Sequence, residues 1–253
     1  MESLPFEKSG MIVPHKDDAV LFVFPEVGSS SYGLVGKYII NHGFEVPNGE
    51  ESASLLHMVY NSKDKEFVNS PQSIKVKEKL ARRLWVYERV LWIPKKEKNG
   101  GAYVKTDPNA SGISIKLKVD ELEDELSGGF EKKGVKFSKD GKVRFVPYGN
   151  IRLGKNKPED IVNEGLTIAI HGIEGAEKLS KVASTLESRV DVYGYDVEYP
   201  LQKLCALCMM GHSKTLEIYG SYHDDHFSGY AFPVMRASEE LCRKIFEGRG
   251  KKV

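Results

Sequence analysis

Cysteine is scarce in this chain: three thiols, an odd number, in 253 residues. That excludes a disulfide framework and makes a reducing cytoplasm the expected compartment. Net charge is almost absent as well, because 37 Lys and Arg against 36 Asp and Glu leave only +1. No overall field therefore draws nucleic acid or an anionic bilayer to the molecule, and any such binding needs a local patch. Long apolar runs are missing. The richest, Ala19 to Val27, has the length of a strand and is broken by Pro25 and Glu26, so no membrane partner is expected. Met1-Glu-Ser-Leu-Pro5 has neither the basic start nor the apolar core of a secretory leader. No internal repeat or low-complexity linker divides the chain.

What is present is ordinary globular composition, 40% hydrophobic and 29% charged, which is enough apolar residue for a sizeable core. The expected class is α+β, with mixed sheets, a central antiparallel hairpin region and a C-terminal half alternating strand and helix. One compact unit over 1–253 is expected, with subregions 1–150 and 151–253.

Ala19-Val-Leu-Phe-Val-Phe24 reads as a strand stopped by Pro25, and helices are expected over 34–41 and 50–60. Ser70-Pro71 opens an expected helix reaching about Leu91, on the spacing of Ile74, Val76, Leu80, Leu84, Tyr87 and Leu91. Lys139-Asp140-Gly141 sets a hairpin between 135–137 and 142–146, since a tight turn needs positive φ there. Beyond residue 160 the reading is strand 166–170, helix 175–186, strand 189–193 and helix 201–210. Strands 215–219 and 230–234 are then expected to pair around a histidine-rich turn, with a last helix over 238–246.

Chemistry-bearing residues concentrate between Cys205 and His226. Cys205 and Cys208, three apart on the expected helix, share a face, and His223 and His226 follow. Thiol and imidazole are the usual zinc ligands, so these four form a candidate site for a divalent metal. Their spacing departs from that of a zinc finger, with two residues between the histidines and the thiols on a helix. The same turn, His223-Asp224-Asp225-His226, offers imidazole and carboxylate together for metal binding or general-base work near neutral pH. His15-Lys16-Asp17-Asp18 resembles the His-Pro-Asp-Asp signature of zinc-dependent N-deacetylases, in which His and Asp hold metal and another Asp is the base. It differs at Lys16 and lacks the glutamate after the acid pair, and the resemblance covers four residues.

Two further surfaces stand out. Nine cations lie between Lys75 and Lys98, Lys79, Arg82, Arg83 and Arg89 among them, interleaved with Trp85, Tyr87 and Trp92. Stacking rings beside phosphate-binding cations are the chemistry of RNA or DNA binding. The passage from Ile170 through His171, Gly172 and Gly175 into a helix would offer free amides to an anionic ligand.

No candidate combines acid, base and stabiliser in one motif. The first expectation is therefore a non-catalytic ligand- or partner-binding protein. A metal-dependent hydrolase using the 223–226 turn comes next, then an RNA- or DNA-binding protein using helix 75–98.

Overall fold

The computed structural model describes residues 9–16, 18–210, 215–222 and 227–236. The chain opens with β1 (Ser9–His15), β2 (Asp18–Phe24) and β3 (Val27–Ser30). Four helices follow: α1 (Tyr32–Asn41), α2 (Gly49–Asn61), the single turn α3 (Lys65–Val68) and α4 (Pro71–Leu80). Next come β4 (Leu84–Ile93), β5 (Gly101–Thr106), α5 (Val119–Leu126), β6 (Phe130–Lys132), β7 (Val135–Phe137), β8 (Val143–Pro147) and β9 (Gly154–Asn156). The last part contains α6 (Gly165–Thr185), β10 (Val190–Tyr193), β11 (Leu201–Met210), β12 (Thr215–Tyr222), β13 (Gly229–Ala231) and β14 (Val234–Arg236). The class is α+β.

A small antiparallel sheet has the order β1-β2-β14. The main sheet runs β6-β7-β8-β5-β4-β11-β12-β10-β9, with β13 joined to β4 and β3 paired to β13. Its centre, β4 against β11, joins the two expected subregions by backbone pairing. The hairpin around Gly141 forms as the sequence indicates, with φ of +69° at that glycine and β7 antiparallel to β8.

Alternation along β4 and β11 sends side chains to two cores. Leu84, Val86, Cys205 and Leu207 enter the larger one, shared with α2 and α6. Trp85, Tyr87, Leu204 and Ala206 point the other way, under Tyr32, Val35 and Ile39 of α1. Helix α2 starts where a capping box fixes it: Asn48 accepts from the Glu51 amide at 2.9 Å, and Glu51 accepts from the Asn48 amide at 2.9 Å.

Three expected elements are corrected. The helix from Ser70 ends at Leu80, and residues 84–93 form a strand buried at all ten positions. Trp85 and Tyr87 share one face of that strand and Trp92 lies on the other, an order that apolar spacing over so short a run cannot tell from a helix. Residues 166–170 are helix, because Glu164 caps them by accepting from the Leu166 and Thr167 amides at 3.1 and 2.6 Å. Residues 201–210 are strand, since a central position between β4 and β12 overrides the helix preference of Leu, Ala and Met. The segments 215–219 and 230–234 do not pair with each other. β12 lies between β11 and β10, β13 joins β3 and β4, and β14 joins β2. The helix expected at 238–246 lies outside the described residues.

Helix α6 kinks at Gly172, whose φ of +71° and ψ of +171° are almost confined to glycine. The kink frees carbonyls in the preceding turn, and Arg144 of β8 takes them. Its Nη1 donates to Ala169 O at 3.0 Å and Ile170 O at 3.3 Å, and stands 3.3 Å from Glu88 Oε1. His171 donates from Nδ1 to Gly49 O at 2.9 Å, tying the kink to the start of α2. Gly49 must lack a side chain, because a Cβ there would lie 2.1 Å from Ile170 O. At Gly172 a Cβ would also meet Glu50 Oε1 at 2.8 Å. Gly172→Ala is expected to lower unfolding free energy by about 2–3 kcal/mol, read from urea denaturation. A loss within error of zero would contradict a glycine-dependent kink.

Candidate functional site

Among the described residues the sequence candidates do not gather at one place. Cys205 and Cys208 lie on β11, where residues three apart face opposite sides of the sheet. Cys205 is inside the larger core, and Cys208 donates its thiol to Arg82 O at 3.3 Å on the other face. Burial pushes both thiols above their ordinary range, so neither is poised as a thiolate ligand. The expectation that they share a helix face is corrected. His223, Asp224, Asp225 and His226 lie outside the described residues, as does Asp17. Among the described residues no three His, Cys, Asp or Glu are grouped to hold a metal ion. His15 Nδ1 stands 3.0 Å from Ser54 Oγ.

The four cations of the expected nucleic-acid helix are engaged within the chain. Lys79 pairs with Glu26 at 2.9 Å, and Arg82 donates to the Tyr230 hydroxyl at 3.1 Å. Arg83 donates to Ser228 O at 2.8 Å and lies over the Tyr222 ring at 4.2 Å. Arg89 is buried beside Asp107 and donates to Ile115 O at 2.9 Å. The tryptophans between them are interior, so cations and rings do not form one stacking face.

His171, Gly172 and Gly175 do stand where a helix restarts after a kink. An anion already occupies that spot: the Glu50 carboxylate lies over Gly172 and pairs with Lys16 at 2.7 Å. Negative charge at a helix start is favourable, and here the chain supplies it. His171 is fully buried, and burial lowers its pKa to about 4. Among the described residues its Nε2 finds no hydrogen-bond partner.

The sheet face opposite α6 carries a different constellation. β10 and β12 pair in parallel with Asp191 beside Glu217 and Tyr193 beside Tyr219. The two tyrosine rings stack at 4.4 Å, only 7° from parallel. Both lean toward Glu217, which accepts from Tyr219 at 2.7 Å and from Tyr193 at 3.2 Å. Glu217 is only 5% exposed, so those phenols supply the hydrogen bonds that water would otherwise give it. In return burial and the Glu217 charge raise the Tyr193 pKa to about 12 and move Tyr219 upward as well. Both hydroxyls remain donors at neutral pH. They also relieve two like charges set side by side on neighbouring strands.

The aromatic row continues. Tyr219 and Tyr222 are 4.4 Å apart, and Tyr222 meets Phe227 at 5.2 Å and Trp85 at 5.8 Å. Arg83 caps that end, 5.0 Å from the Phe227 ring. Phe227 and Met210 stay exposed at 42% and 52%. The result is a tyrosine-lined face, acidic at the β10 end and cationic at the Arg83 end. Sequence reasoning placed Tyr193 and Tyr219 on strands without seeing them as a site. The available signal was a repeat, Asp191-Val-Tyr193 and Glu217-Ile-Tyr219, in which an acid and a tyrosine share one strand face.

No protein-family model matches the chain, and no curated protein matches its sequence. Among solved structures it is similar to one described by the words "Accommodation of massive sequence variation in Nanoarchaeota by the C-type lectin fold". The TM-score is 0.48 and the identity 14%, over 87% of this chain and 99% of that one. A likeness at that level assigns neither a site nor a ligand.

The buried titratable groups around the α6 kink give a pH signature. Burial lifts Glu88 from an ordinary 4.5 to about 7, against the pull of Arg144, while His171 falls from 6.5 to about 4. Glu88 favours the fold fully below pH 4.5, and that contribution is lost as pH rises through about 7. His171 acts in reverse: its contribution is present above pH 6.5 and lost as pH falls towards 4. The two slopes oppose between pH 4.5 and 6.5. Glu88→Gln removes one of them, so its stability relative to the native chain should rise by about 2 kcal/mol across that window. Urea unfolding at several pH values measures this, and a pH-independent difference between the two proteins would contradict it.

Proposed function

We propose that this protein is a non-catalytic binding protein whose tyrosine face receives a polypeptide partner. One observation carries the reading: two stacked, half-buried tyrosines are held in place by a shared buried carboxylate. Tyrosine gives large contact area with few rotatable bonds, and rings held in place before binding lose little entropy when a partner arrives. Hydrogen bonding of both hydroxyls to Glu217 provides that order. Chemistry is disfavoured on this face. Its phenols are held well above neutral pH, and the Cys208 thiol is raised by burial.

The charge pattern narrows the partner. Asp191 is half-exposed at the acidic end, paired across the strands with Glu217, and its Oδ2 lies 3.5 Å from the Tyr193 hydroxyl. A lysine or arginine side chain can reach a carboxylate there while resting its stem or charge against a ring, a contact worth about 0.5–2 kcal/mol. The reading is thus a partner segment that leads with cationic residues towards β10.

A tetra-arginine peptide titrated into isotopically labelled protein tests this by NMR. Saturable shifts clustered at residues 190–193 and 215–222, weakened about tenfold by Tyr219→Ala, are expected. Shifts scattered over the surface, or unaltered by that substitution, would sink the reading.

A further inference from the structure

The small sheet is apolar on both faces, and only one of them has a described layer against it. Its inner face carries Met11, Val13, Val20, Phe22, Phe24 and Val234, all in the larger core with α2. Strand alternation turns Ile12, Leu21, Val23 and Met235 the other way. Register aligns three of these in one row across the sheet. Ile12 lies opposite Leu21, and Leu21 opposite Met235. Val23 stands at the end of the row, beside the small recess that Phe44 lines with Tyr38 and Ile39.

This outer face is also buried. Leu21 is 1% exposed and Val23 6%. Yet the only described apolar side chains packed on the pair are Ile12 and Met235 from the flanking strands, and Phe44. A sheet with two apolar faces needs a layer against each.

The chain delivers such a layer to this place. β14 finishes at Arg236, which lies opposite Val20, one residue past the row. The exit is fixed there: Arg236 donates to Glu51 Oε1 at 2.6 Å and to Val46 O at 3.1 Å. Residues 237–253 follow, outside the described residues. Their sequence begins Ala237-Ser238-Glu239-Glu240-Leu241-Cys242-Arg243-Lys244-Ile245-Phe246. At 3.6 residues per turn, Leu241, Cys242, Ile245 and Phe246 fall within about 140° of the helix circumference. The opposite side takes Glu239, Glu240, Arg243 and Lys244, each Glu four residues before a cation, the favourable order. Ser238 is an N-cap residue type, and Gly248 suits a helix stop. A helix over 238–246 would be about 13 Å long, against about 10 Å across three strands. Residues 1–8, which lead into β1, are a poorer fit, because Leu4 and Phe6 flank Pro5 and form no helical stripe.

We propose that residues 238–246 form an amphipathic helix that packs across the outer face of β1, β2 and β14. Leu241, Cys242 and Ile245 rest on the row of Ile12, Leu21 and Met235, and the Arg236 contacts hold the helix at its start. Cys242 is then a buried thiol, as Cys205 and Cys208 are.

Two readouts on the full chain test this. In methyl-labelled protein, NOEs are expected from Leu241 or Ile245 to Ile12, Leu21 or Met235. Labelling with N-ethylmaleimide, resolved by peptide mapping, gives the rate at Cys242. It should be at least tenfold slower than in a synthetic peptide of residues 237–253, since reaction must wait for local opening. Ile12→Glu, at a half-buried position of the row, should restore most of that rate, and Tyr219→Ala, on the tyrosine face, should not. NOEs to the row from Leu4 or Phe6 in place of Leu241 and Ile245 overturn the proposal and give the face to residues 1–8. A Cys242 rate equal to that of the peptide also overturns it, as does a slow rate that Ile12→Glu leaves unchanged.

Discussion

The guanidinium of Arg144 is the interaction on which the rest of this structure depends. It sits in the interior, 6% exposed, and its Nη1 faces two helix carbonyls and one carboxylate. Buried carbonyls without partners are costly, and so is a buried charge without a counter-charge. Arg144 addresses both. It satisfies the carbonyls that the Gly172 kink releases, and it places positive charge beside Glu88 on the central strand. The kink in turn lets α6 lie against α2 closely enough for His171 to reach Gly49. One side chain thereby joins β8, β4, α6 and, through His171, α2.

That inner arrangement sets what the outer face can be. With α2 and α6 covering one side of the sheet and α1 covering part of the other, Asp191, Tyr193 and Tyr219 on β10 and β12 remain half-exposed. Parallel register between these strands puts acid beside acid and tyrosine beside tyrosine. The tyrosines offset the charge repulsion by donating to Glu217, and in doing so become fixed. The ordered tyrosine face arises from a local electrostatic problem and its solution. No helix among the described residues is long and apolar enough to cross a membrane, which agrees with the absence of long apolar runs in the sequence.

Much of the fold was legible. The α+β class, the 135–146 hairpin, strand 19–24 and the helices near 34–41 and 50–60 follow from turn chemistry and, at α2, from a capping box that acts locally. The failures share a cause. Residues 84–93, 166–170 and 201–210 are mostly apolar, with Glu88, Arg89, Thr167, Gln202 and Lys203 the polar exceptions, and a segment buried on both faces shows little periodicity to reveal its type. Their states were decided by neighbours far away in sequence: β4 and β12 flanking β11, and Glu164 with Arg144 holding the first turns of α6. The site was less legible for the same reason. Cys205 and Cys208 attracted attention by residue type, but once β11 is a strand they face apart. Tyr193 and Tyr219 attracted none, because only strand register brings them together. His171 and Gly172 were singled out as an anion site, and the position holds an anion belonging to the chain itself, Glu50.

The most direct measurement is the unfolding free energy of Arg144→Met. The account predicts a loss of about 3–5 kcal/mol, the scale for removing one member of a buried, hydrogen-bonded ion pair. The loss should come with faster amide exchange in α6 around residues 169–173 and at the start of α2. A loss below about 1 kcal/mol, the range of a surface ion pair, with α6 exchange unchanged, would contradict it.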